Sequence, residues 1–119
     1  MISIKRAYEN AGPDDGKRVL VDRLWPRGIS KQKLQLDGWY KDVAPTAELR
    51  NLFHHDPAGW GEFKERYFAE LDDKPEAWTP LLELARGGNV TFLYGAKDTE
   101  HNNAVALKDY LDSKMEGQP

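Results

Sequence analysis

Val90-Thr91-Phe92-Leu93-Tyr94 is an unbroken run of apolar, β-branched and aromatic residues, as suits a strand covered on both of its faces. It passes through the polar turn Gly95-Ala96-Lys97-Asp98 into a helix expected from about Glu100 to Leu111. A strand buried on two sides needs a layer above and a layer below it, which sets an α/β architecture. In 119 residues there is room for one core. The expectation is a small single domain over 1–119, with a short, at least partly parallel sheet covered by about four to five helices.

The remaining pattern fits that frame. Ile2, Ile4, Arg6 and Tyr8 alternate with Ser3, Lys5 and Ala7 as in a half-buried strand, and Gly12-Pro13-Asp14-Asp15-Gly16 ends it in a turn. Arg18 to Leu24 reads as a second strand, with Val19 and Val21 on one face and Leu20 and Leu24 on the other. The link between these strands is short for a parallel crossover, so they are expected to be antiparallel or not adjacent. Ser30 can cap a short helix, and Leu36, Trp39, Tyr40 and Val43 suit an extended piece or a packed loop. Thr46 is a candidate cap for a helix with Leu49, Leu52 and Phe53 on one face, and Asp56-Pro57 for one running to about Leu71. In the latter, Trp60, Phe63, Tyr67, Phe68 and Leu71 form one broad apolar stripe. A further helix after Pro75 carries Trp78, Leu81, Leu82 and Ala85 and is expected to end in a left-handed glycine at Gly87-Gly88.

Composition removes several functions. No cysteine is present, which excludes a thiol nucleophile, a cysteine-held cluster and a redox switch. A formal charge of -3 argues against a long nucleic acid or an anionic membrane as partner, so any anion site is local. No apolar stretch approaches the roughly 20 residues of a membrane span, and Met1 to Arg6 shows no secretory signal, from which a soluble, cytoplasmic protein is expected.

Two segments carry the polar chemistry. From Arg23 to Leu36 the chain holds Arg23, Arg27, Lys31 and Lys33 without an acidic residue, directly after Asp22 and around Trp25 and Pro26. Two arginines on a proline-stiffened turn form a fork for phosphate or carboxylate, and Trp25 offers a stacking face. The plain alternative is a solvated turn whose arginines pair with Asp22, Asp37 or Asp42. The second segment runs from Tyr94 to Asn103. Gly95 permits close approach, Lys97 supplies a charge, Asp98 can take a proton, and His101 titrates near neutrality. Its plain alternative is capping by Asp98 or Thr99. Adjacent histidines His54 and His55 diverge by about 100° on a helix, and no metal site is expected from them.

These same stretches bring a family into view. Val21-Asp22-Arg23-Leu24-Trp25-Pro26-Arg27-Gly28, Glu48-Leu49-Arg50, His55-Asp56-Pro57 and Tyr94-Gly95-Ala96-Lys97-Asp98 with His101-Asn102-Asn103-Ala104 closely resemble the YeaO-like family of uncharacterised bacterial proteins. Thr46 stands where the resemblance expects serine and keeps a capping hydroxyl. The resemblance implies a small cytoplasmic bacterial α/β protein and implies no reaction or cofactor. It adds Arg50, His55 and Asp56 to the polar residues of interest. The expected site gathers Asp98, Asp22 and His101 as acid and base. Around them stand Arg23, Trp25, Arg27, Lys31, Arg50, Tyr94, Lys97, Asn102 and Asn103 as ligand contacts, in one pocket at the strand ends. A small anionic molecule is the expected partner. That chemistry fits acid/base hydrolysis of a phosphorylated or nucleotide-like substrate, or else a non-catalytic anion- or nucleotide-binding module. A buried ion-pair network of Asp22, Arg23 and Asp98 that specifies the fold is the competing explanation.

Overall fold

The structure, a computed structural model, describes residues 1–53 and 57–116. Four strands, β1 (Ile2–Arg6), β2 (Lys17–Leu20), β3 (Gly38–Trp39) and β4 (Val90–Tyr94), make one sheet in the order β1-β4-β2-β3. Every neighbouring pair is parallel. β4 lies between two strands and all five of its residues are buried, which is why its sequence lacks a polar face. β1 and β2 point the same way without touching, because β4 is laid between them, and the short link 7–16 therefore makes no crossover to a neighbour.

One face of the sheet carries Ile2, Val19, Val21, Val90, Phe92 and Tyr94. Four helices pack on it: α2 (Ala47–Phe53), α3 (Trp60–Asp72), α4 (Pro75–Gly87) and α5 (Asn103–Glu116). The anticipated stripes supply the contacts, with Phe63, Tyr67 and Leu71 from α3 and Leu81, Leu82 and Ala85 from α4 fully inside. On the other face Leu20 and Leu93 are closed over by Ile29 and Leu34 from the β2–β3 connection, which contains α1 (Lys31–Leu34). Ser30 caps α1 by accepting the Lys33 N–H at 3.1 Å. Beside that small apolar patch lies Arg18, 5% exposed, bonded to Asp15 at 2.5 Å and to the Leu34 carbonyl at 2.8 Å.

The structure corrects four expectations. β2 ends at Leu20, and Leu24 is 67% exposed, because the chain leaves the sheet at Asp22 to form the loop beyond it. Leu52 is 62% exposed while Leu49 and Phe53 are buried, so the apolar face of α2 is wider than the surface that covers it. α5 starts at Asn103, not Glu100, because two side chains in series organise the approach to it. Gly88 has φ 162°, extended and not left-handed, and the Met1 amino nitrogen supplies hydrogen bonds to the Ala85 and Gly88 carbonyls at 3.2 and 3.1 Å. Among the described residues no helix is long and apolar enough to cross a membrane.

Candidate functional site

A sheet whose strands all point one way places all their carboxyl ends at one edge, where loops and helix starts meet. At that edge the chain leaves through Tyr8, through Asp22 to Arg27, and through Gly95 and Ala96, and these segments line a cleft of about 270 Å³. Pro45 and Arg50 close it from the α2 side and Asn103 from the start of α5. The basic turn and the glycine-to-asparagine segment are stitched together. The Gly95 N–H donates to Asp22 Oδ2 at 2.8 Å, and Asn103 Nδ2 donates to the Val21 carbonyl at 3.1 Å. Two distant stretches of sequence thus become neighbours.

The turn itself is built by local rules. Gly28 sits at φ +81°, a left-handed position that suits glycine, and lets Ile29 fold back into the small core. Trp25 is then fixed, its indole N–H donating to the Ile29 carbonyl at 2.7 Å and its ring meeting Trp39 edge-on at 5.5 Å. Trp25 is therefore both a support of the small core and a wall of the cleft. Arg23, Arg27 and Arg50 all line the cleft, against a single carboxylate, Asp22, among the described residues of its lining. Arg23 Nε is buried without a hydrogen-bond partner, whereas Arg27 and Arg50 are exposed. In a chain of net charge -3 this is a concentrated positive site.

Of the twelve residues expected in one pocket, the cleft lining holds Asp22, Arg23, Trp25, Arg27, Arg50 and Asn103. The other six stand elsewhere. Asp98 Oδ1 accepts the Glu100 and His101 N–H groups at 2.9 and 3.0 Å, and Oδ2 faces His101 Nδ1 at 3.0 Å. Those backbone bonds, Glu100 first, hold the Asp98 carboxyl below the usual carboxylate range. His101 rests edge-on against Trp60 of α3, ring centroids 5.3 Å apart. Asn102, 1% exposed, donates to the Asp98 carbonyl at 2.9 Å and accepts the Val105 N–H at 3.0 Å, so it caps α5. The Tyr94 ring is buried in the main core, and burial, with the charge of Glu9, raises its phenol pKa. Lys31 and Lys97 are exposed and outside the cleft lining. His54, His55 and Asp56 lie outside the described residues. Among the described residues no group of three or more His, Cys, Asp or Glu side chains is placed to hold a metal ion.

Tyr8 is a cleft residue that the sequence reading places elsewhere. Tyr8 continues the alternation of β1 and reads as one more strand position, yet β1 ends at Arg6 and Tyr8 turns to the cleft. The signal was the Gly12-to-Gly16 turn just ahead, which shortens the strand.

A family model described as "Inactive DUF488-N3 subclade" matches residues 1–119. "Uncharacterized protein YeaO" of Escherichia coli (strain K12) is 45% identical over 112 residues, 94% of this chain and 97% of its own length. "Uncharacterized protein Rv3073c" of Mycobacterium tuberculosis (strain ATCC 25618 / H37Rv) is 40% identical over 113 residues, 95% of each chain. No solved structure matches.

Proposed function

The chain belongs to the family described as the inactive DUF488-N3 subclade, and from that premise we propose that its strand-end cleft is a non-catalytic binding site for a small anion. The observation that carries this reading is the meeting of Arg23, Arg27 and Arg50 around one cleft with Asp22 as the sole carboxylate among the described residues of its lining. Guanidinium groups recognise phosphate and carboxylate oxygens through paired, charge-assisted hydrogen bonds, each worth about 1.5–3 kcal/mol. The Asp98–His101 pair, which would serve as acid and base, is engaged in closing the turn ahead of α5 and stands outside the cleft lining. The proposed setting is the cytoplasm, the setting that the resemblance to the YeaO-like family implies.

A second reading, acid/base hydrolysis of a phosphorylated substrate, is favoured by Asp22 alone, which stands beside the arginines. One experiment separates the two. Melting curves are taken with inorganic phosphate and ribose 5-phosphate, for the native chain and for the Arg27→Ala/Arg50→Ala double variant. Stabilisation of about 2.7 kcal/mol is expected at a hundred times the dissociation constant, lost in the variant with little change in unliganded melting because both side chains are exposed. Flat curves for the native chain would remove the anion site. Release of phosphate from an ester, abolished by Asp22→Asn while affinity stays within a few-fold, would favour the hydrolase.

A further inference from the structure

Tyr8 lines the arginine cleft and is 38% exposed. Its hydroxyl donates to the Arg27 carbonyl at 2.9 Å, and the Arg6 guanidinium lies 4.9 Å from the ring centroid. Arg6 is itself anchored, its Nε donating to the Ala96 carbonyl at 2.9 Å. A ring tethered through its hydroxyl and backed by a fixed cation gives up little freedom when a flat partner is laid on it. Trp25, the other aromatic of the cleft, is already committed to Trp39 and to the Ile29 carbonyl.

Charge and size narrow the partner. Three guanidiniums against one carboxylate leave two positive charges among the cleft's described residues. A phosphate monoester carries about -1.5 to -2 at pH 7, which matches, whereas a lone carboxylate leaves half of that charge unanswered and a triphosphate overruns it. A cleft of about 270 Å³ falls just under the common range for drug-sized ligands, about 300–1,000 Å³, and suits one ring system with one phosphate.

Resting on the anion-binding reading above, we propose that the ligand is a nucleoside monophosphate whose base stacks on Tyr8 while its phosphate sits among Arg23, Arg27 and Arg50. Titration calorimetry with AMP, CMP and ribose 5-phosphate tests it. At least one nucleotide is expected to bind about tenfold tighter than ribose 5-phosphate. Tyr8→Ala should bring the ratio of nucleotide to ribose 5-phosphate affinity down to about one, whereas Tyr8→Phe, which loses the tether to the Arg27 carbonyl but keeps the ring, should retain most of the preference. Equal affinity of all three ligands for the native chain overturns the stacking inference and leaves the anion site standing. A nucleotide preference that survives Tyr8→Ala overturns it too. No binding by any of the three ends both readings, and because the ligand comparison uses the native chain it decides even if a variant does not fold.

Discussion

Asp15 holds three parts of the molecule with one residue. Its carboxylate accepts the Gly12 N–H at 3.0 Å and pairs with Arg18 and Lys5, and its carbonyl accepts the Thr91 hydroxyl of β4 at 2.7 Å. Burial pushes the Asp15 carboxyl up, but the Gly12 N–H, Lys5 and Arg18 together outweigh it and hold the pKa below the usual 3.8. A carboxyl whose folded pKa is depressed contributes stability above its unfolded value and loses it as pH falls through the folded one. Asp15→Asn keeps the shape and removes the charge, leaving buried Arg18 without its counter-ion, so a loss of about 3 kcal/mol is expected at neutral pH. Urea unfolding at pH 7 and at pH 3 checks this: the gap between the two proteins should narrow at pH 3, below the ordinary carboxyl value of 3.8, where the unfolded native chain takes up a proton at Asp15 that the variant does not. A gap independent of pH would mean that packing, and not charge, is what Asp15 supplies. This is the ion-pair network weighed against a functional site, but built on Arg18 and Asp15 instead of Asp22, Arg23 and Asp98. Sequence could not place it, since Arg18 lies at the start of a strand, where alternation promises only an orientation.

The elements themselves follow closely from periodicity, and their ends do not. β4, α3 and α4 lie where unbroken or 3.6-spaced apolar residues put them, because burial on one stripe or two faces leaves a pattern that no other residue needs to complete. α5 begins later than its pattern suggests because Asp98 and Asn102 both offer the backbone a side-chain acceptor, and the helix starts only after the second. Asn102→Ala removes the Val105 cap and the bond to the Asp98 carbonyl at a buried position, and a loss of about 2 kcal/mol is expected in urea unfolding. Asn102→Asp should recover part of it, since a carboxylate still caps the Val105 N–H but cannot donate to Asp98. Full recovery would assign the whole effect to the cap. The same local chemistry explains the site. Asp98 and His101 read as acid and base because hydrogen-bonding side chains before a helix serve a turn and an active site equally well; in the structure they close the turn ahead of α5 and stand outside the cleft lining.

At the scale of the molecule, strand order was the part least available from sequence, and it is what makes the cleft. β4 follows α1 to α4 in the chain, yet it is inserted between β1 and β2, pairing Ile4 with Phe92 on one side and Val19 with Phe92 on the other. Neither flanking strand has a ladder with the other, so β1 joins the sheet only through β4. The edge at which Asp22 meets Gly95 exists only once that insertion is made, and the cleft and the global fold should therefore open together. Phe92→Ala, which empties a fully buried ring from the middle of this arrangement, should cost about 3–5 kcal/mol. Native-state hydrogen exchange should show the amides of Ala7, Val21 and Val90, which donate to the Tyr94, Leu93 and Met1 carbonyls, losing protection by one common factor, because none of them can open without β4 leaving. Loss of protection in β1 and β4 with β2 unchanged would show that β2, β3 and α1 form a unit of their own, and the cleft would then open at its basic turn without unfolding the rest.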